Sequence, residues 1–175
     1  NTGWVFCRTG GTADRNGKSA WSDYTNIYAD DSLYATNTIG VGTYTDWLRG
    51  TNFGFTIPAG AILDGIEVKI GRKASTVNCI RDSALYLVLN LVAKGYNKAS
   101  AAYYTMAEVE ASYGSPSELW GATLTRADVN SSGFGVMLSV LNESAAPKTV
   151  YVDYFKMRIT YHVPVYNALF FGCNF

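Results

Sequence analysis

One histidine, three cysteines and a scattered set of acids are the chemically competent side chains of this 175-residue chain. Nucleophilic catalysis needs a base beside a Ser or Cys, and His162 sits on the polar side of an alternating segment with no Gly-x-Ser-x-Gly elbow anywhere. Glycoside hydrolysis needs two carboxylates at a set separation, yet nothing groups Glu67, Glu108, Glu110, Glu118, Glu143 or the aspartates into an acid and a nucleophile. Gly10-Gly11 is not followed by the Gly-Lys-Ser/Thr of a phosphate loop. No catalytic residue is expected, and the chain does not read as an enzyme. Cys7, Cys79 and Cys173 lack C-x-x-C spacing, so no zinc site is expected. They read as buried thiols, or, in an oxidising compartment, as one disulfide plus one free or intermolecular thiol, with Cys173 placed to link subunits. No cofactor is implied beyond calcium, for which Asp14-Arg-Asn16-Gly17 and Asp30-Asp31 offer hard oxygens without completing a calcium loop.

Aromatic side chains are the other chemical resource. Trp21, Tyr24, Tyr28, Tyr34, Tyr44 and Trp47 cluster in the first third of a chain holding 4 Trp and 13 Tyr. On a sheet surface such rings stack on sugars, with Trp21, Tyr24 and Trp47 the candidates for glycan contact; they serve equally as core covers or protein-interface anchors.

Charge narrows the partners. Fourteen Lys+Arg balance 14 Asp+Glu, and no basic run exists to displace counterions from nucleic acid. A 48% hydrophobic content excludes disorder, and no stretch approaches the roughly 20 apolar residues of a membrane helix. The start at Asn1, without Met, reads as a processed form or a piece of a longer protein.

The elements that must position these residues alternate with period two. Ile66, Val68 and Ile70 alternate with Glu67 and Lys69; Phe134, Val136, Leu138 and Val140 repeat the pattern. In Thr149 to Val163 the odd positions Tyr151, Phe155, Met157, Ile159 and Tyr161 share a side, and the rhythm puts Asp153 with them. A buried carboxylate needs partners, so a buried pair of Asp153 with Arg81 is expected, or bonds to loop amides, unless a bulge turns Asp153 to solvent. Leu85 to Val92 is apolar on both sides, as in a covered central strand. Pro58-Ala-Gly60 reads as a tight turn and Asp64-Gly65 as a bulge. Two short helices are expected: Thr105 to Tyr113, with a Thr/Glu capping pattern and Gly114 as a stop, and one turn over Arg126 to Val129 capped by Thr125. The fold class is therefore all-β: a single antiparallel β-sandwich, jelly-roll-like, over 1–163, with a loop-rich first third.

Residues 55–70 (Phe-Thr-Ile-Pro-Ala-Gly-Ala-Ile-Leu-Asp-Gly-Ile-Glu-Val-Lys-Ile), 78–87, Leu119-Trp-Gly121, Phe134-Gly-Val136 and Val152-Asp-Tyr154 resemble a β-sandwich module of tailed-bacteriophage structural proteins and of secreted bacterial proteins. The resemblance spans about residues 45–163 and implies a non-catalytic, self-associating domain. The tail 164–175 is almost wholly apolar, and a soluble monomer does not leave such a segment bare. Either the tail returns onto its own sandwich as an extra strand or, as favoured here, it crosses to a neighbouring copy after Pro164, with Val165, Tyr166, Leu169, Phe170, Phe171 and Phe175 as the expected assembly interface. Together these features predict a structural subunit that assembles with copies of itself, or with other virion or surface proteins, on a virion, tail or extracellular filament. The alternative is a carbohydrate-binding module of a cell-surface or virion adhesion protein, with a glycan as partner.

Overall fold

The alternating segments become strands of two antiparallel sheets packed face to face in a computed structural model that describes residues 1–16 and 18–165. Sheet A joins β1 (Val5–Phe6), β10 (Lys148–His162), β5 (Ile62–Ala74) and β8 (Val109–Ser115) in that order, with β3 (Ala35–Ile39) also paired to β10. Sheet B runs β2 (Thr9–Ala13), β4 (Trp47–Thr51), β9 (Phe134–Asn142), β6 (Ile80–Leu89) and β7 (Val92–Lys94). The fold is an antiparallel β-sandwich of jelly-roll type. Its core lies between the sheets, where Ile66, Val68, Ile70, Phe155 and Ile159 from one side meet Leu48, Leu85, Leu87, Val136 and Leu138 from the other, all fully buried.

Turn chemistry places the strand ends. Ala61 N–H closes a turn on the Pro58 carbonyl at 3.3 Å, and Gly60 takes the left-handed position at φ 77°. Asn90 and Leu91, at φ 50° and 70°, make a two-residue hairpin that pairs Leu89 with Val92. The apolar run 85–92 is thus a strand followed by a turn, and Leu91 and Val92 are exposed. Thr125 caps α1 (Arg126–Asn130) through a reciprocal box with Asp128.

The segment 105–113 is not a helix. Thr105 Oγ1 donates to the Ala107 carbonyl, and the chain then pairs with β5 as β8, Tyr113 opposite Val68 and Ala111 opposite Ile70. Ala111 and Tyr113, two apart, are its inward positions, and Glu110 gains partners that a solvated helix would deny it. Desolvation pushes the Glu110 carboxyl up, but hydrogen bonds from Lys156, Lys69 and Tyr154 outweigh it and hold the group down at about 2. Because the folded value lies below the ordinary value of 4.5, this contribution is complete above that pH and is lost as pH falls from 4.5 towards 2. The pair is largely solvated, so it is worth under about 1 kcal/mol. Glu110→Gln should accordingly lower stability by under about 1 kcal/mol at neutral pH, with the difference from the parent vanishing as pH falls from 4.5 towards 2, as read by urea unfolding at stepped pH.

Beta-bulges break the long rhythm of β10. The register with β5 slips between Val152 and Tyr154, so Val150 and Val152 are buried before the slip and Phe155, Met157 and Ile159 after it. A second slip leaves Asp64 as the extra residue between Gly65 and Leu63.

Candidate functional site

The outer side of sheet B holds the site. Register sets its side chains in rungs: Tyr86, Met137, Arg49 and Gly11 lie opposite one another across β6, β9, β4 and β2, and Val88, Gly135, Thr51 and Thr9 form the next rung. Leu48 and Gly50 alternate with Trp47, Arg49 and Thr51, so β4 gives its apolar positions to the core and its indole and guanidinium to the outside. Gly50 is needed on the inner side, where a Cβ would come within 2.6 Å of Phe155 and 2.9 Å of the Cys7 sulfur. Gly11 leaves a gap in its outer rung, where an added Cβ would meet only the Arg49 guanidinium. The result is a groove of about 500 Å³ lined by Thr9, Gly10, Gly11, Arg49, Thr51, Asn90, Leu91 and Gly133.

Beside it stands an aromatic and cationic cluster. The Trp47 and Tyr86 rings meet edge to face at 6.1 Å and 73°. The Arg15 guanidinium lies 4.2 Å from the Tyr44 ring centre and 4.6 Å from that of Trp47, anchored by Nη1 donating to Ser83 and Ser139. Burial lowers the Arg15 pKa, partly offset by Tyr44 and Tyr86. Nearly perpendicular rings make no flat platform, so this face suits a single chain lying along a groove better than the surface of a crystal.

Of the three sequence candidates for stacking, Trp47 is at this site, half buried. Trp21 is not available: it is 3% exposed, and its indole donates to the Asp46 carbonyl inside the protein. Tyr24 remains at the surface on a short 3-10 turn, Tyr24–Ile27, whose carbonyl lies against Gly10. Arg15, Arg49 and Tyr86 were not singled out by the sequence; the period-two rhythm Trp47, Arg49, Thr51 was the available signal for Arg49.

A second cluster sits on sheet A. Asp30, Glu108 and Asp153 bring carboxylate oxygens within 4.8 Å of one another. Asp153 is fully buried at the β10 bulge beneath the loop after Tyr28. Its Oδ2 accepts the Ser32 backbone N–H at 3.2 Å, and its Oδ1 has no partner. Burial, then the neighbouring Glu108 charge, raises its pKa to about 6. Tyr34 donates to Glu108 at 2.8 Å. The expected Arg81–Asp153 pair does not form: Arg81 holds Glu143 in a bidentate pair at 2.6 and 2.9 Å at the surface. The bulge is present, yet it sets Asp153 under a loop instead of in solvent.

The buried ion pair is Arg72 with Asp82, bridging the two sheets. Asp82 also accepts the Tyr104 and Tyr113 hydroxyls at 2.6 and 2.8 Å and the Ser100 N–H at 2.8 Å. Cys7 and Cys79 are free and buried, so no disulfide joins them; burial pushes the Cys7 thiol up to about 12, which makes it inert. Cys173 and the interface positions Tyr166, Leu169, Phe170, Phe171 and Phe175 lie outside the described residues, while Val165 is exposed.

No protein-family model matches the chain, and none of the curated proteins matches it as a relative. Among solved structures it is similar to one described as "CBM4 structure and function", with a TM-score of 0.43 and 13% identity over 90% of this chain and 94% of the other. It is similar also to a xylan-binding module, CBM15 (TM-score 0.38, 9% identity, 90% and 92% covered). A third is a carbohydrate-binding module specific for non-crystalline cellulose, CBM28 (TM-score 0.40, 12% identity, 89% and 88% covered). At these identities the likeness is one of fold, and the phage association of the sequence resemblance gains no support from it. The expectation of a self-assembling virion, tail or filament subunit is corrected: the similar structures are described as carbohydrate-binding modules and not as assembly subunits.

Proposed function

We propose that this chain is a non-catalytic carbohydrate-binding module that holds one glycan chain in the groove on the outer side of sheet B. The observation that carries the reading is the groove itself, about 500 Å³ within the range of small-ligand sites, opened by Gly11 and flanked by Arg49 and the Trp47–Tyr86 pair. Planar side chains supply apolar contact to sugar rings, and guanidinium and backbone groups supply donors to sugar oxygens. Such a module works where polysaccharide is met, at the cell surface or outside it. The neighbours' descriptions as carbohydrate-binding modules agree with this reading. Affinity electrophoresis against a panel of soluble neutral and acidic polysaccharides tests it: retardation by at least one is expected, and unaltered mobility in all of them overturns the proposal.

The Asp30–Glu108–Asp153 cluster supports a structural calcium ion in the same module. Three carboxylates and the unpartnered Asp153 Oδ1 form a hard, all-oxygen donor set, and a cation there would relieve their mutual repulsion and tie the 28–34 loop to β10. At a hundredfold excess over Kd, calcium should stabilise by about 2.7 kcal/mol, several degrees in Tm. EDTA should reverse the rise, and Asp153→Asn should abolish it. A Tm indifferent to calcium and EDTA would remove the metal from the account.

A further inference from the structure

The distribution of cations over the two sheet faces is uneven. On the outer side of sheet A, Lys69 and Lys156 both reach Glu110 and Arg158 grips Glu67 through two bonds at 2.8 Å, while Lys73 lies over the Tyr34 and Tyr151 rings. Inside, Arg72 has Asp82, and near the end of sheet B Arg81 has Glu143. The groove differs. Among the described residues, no carboxylate oxygen lies within the 4.0 Å of an ion pair from the guanidinium of Arg49 or Arg15.

Both groups are held in place by neutral partners. Arg49 lies across β2, where Gly11 makes room for it: a Cβ at that position would stand 3.3 Å from Nη2. Nη2 makes a long bond, 3.4 Å, to the Thr12 carbonyl, and Nε is buried without a partner. Arg15 is fixed by two serine hydroxyls and two aromatic rings. Lys18 adds a third cation above Tyr44, 4.9 Å from the ring centre. A guanidinium partly withdrawn from water with no counter-charge is unfavourable in isolation. It becomes favourable when a ligand brings the anion, and its planar fork matches carboxylate and sulfate oxygens in pairs. Arg49, Arg15 and Lys18 thus bring three cations, none with a carboxylate in ion-pair range among the described residues, to the groove and the ring cluster beside it.

Resting on the carbohydrate-binding reading above, we infer that the ligand is an acidic glycan, whose carboxylate or sulfate-ester groups engage Arg49 and Arg15 while its sugar rings lie against Trp47 and Tyr86. Calorimetric titration tests this with an oligogalacturonate and a sulfated galactan, each beside its neutral counterpart made by carboxyl reduction or desulfation. At low salt, one acidic form should bind at least about tenfold more tightly than its neutral counterpart, and the preference should shrink as salt rises. Which acidic form is preferred separates carboxylate from sulfate. Arg49→Gln should cost about tenfold on the acidic ligand and little on the neutral one, with near-ultraviolet circular dichroism showing an intact fold. Equal binding of acidic and neutral forms overturns the acidic inference and leaves the glycan groove standing. Acidic binding that survives both Arg49→Gln and Arg15→Gln overturns it as well, since the charge contact would lie elsewhere. Binding to none of the four ligands, nor to the polysaccharide panel, rejects the module reading itself.

Discussion

Asp82→Ala should lower the melting temperature by about 10 °C, the largest stability effect of any single replacement considered. Asp82 takes four donors at once: the Arg72 guanidinium, the Tyr104 and Tyr113 hydroxyls and the Ser100 N–H. Removing it strands a guanidinium that is 4% exposed and whose Nε already lacks a partner, together with two buried phenols. Breaking one side of such a pair costs about 3–5 kcal/mol, and each kilocalorie is worth about 2–4 °C in a domain of this size. The two phenols cannot take over the charge, because burial, then the Asp82 charge, holds both well above the ordinary tyrosine value. Replacing both ionic partners, as in Arg72→Met with Asp82→Leu, should recover much of the loss, since the penalty comes from an orphaned charge and not from lost attraction. Thermal unfolding of the single and double variants checks this. A single variant within about 2 °C of the parent would mean that the inter-sheet pair is solvated or replaceable.

Trp47→Ala, with Tyr86→Ala added, should weaken glycan binding about thirtyfold, roughly 2 kcal/mol. The two rings support each other edge to face, and Trp47 also carries the Arg15 guanidinium on its face. Losing the indole therefore removes sugar contact and frees a cation from its seat. Trp4 is the matched control, because it lies on the opposite sheet between Lys69 and Arg158. Trp4→Ala should leave affinity unchanged, and an equal loss for both variants would remove the groove from the binding account.

Much of the sandwich was legible because its strands are long and half buried. Ile66, Val68 and Ile70 face the core as their alternation indicated, and the 126–130 helix carries its Thr125 cap. Where the reading failed, a local pattern had a second cause. Thr105 and Glu108 imitate a capping box, but the sheet edge of β5 offered seven residues a full ladder, and pairing outcompeted one helical turn. Asp153 was placed on the apolar side by a rhythm that continues unbroken in sequence, whereas the backbone slips at that residue and reverses the phase. Trp21 reads as a surface ring because its neighbours are polar; only the fold reveals that its indole finds Asp46 inside. The groove was least legible of all. Gly11, Arg49 and Tyr86 are far apart in the chain and come together only through the register of four strands, which no local spacing encodes.

Amide and indole chemical-shift mapping during titration with an oligosaccharide taken from the polysaccharide that retards the protein is the most direct test of the glycan groove. Saturable shifts are expected at the Trp47 indole N–H and at the amides of Gly11, Arg49 and Tyr86, with the Trp4 indole and the outer strands of sheet A unmoved. Shifts confined to the surroundings of Trp4, Lys69 and Arg158, with the sheet B groove silent, would contradict it.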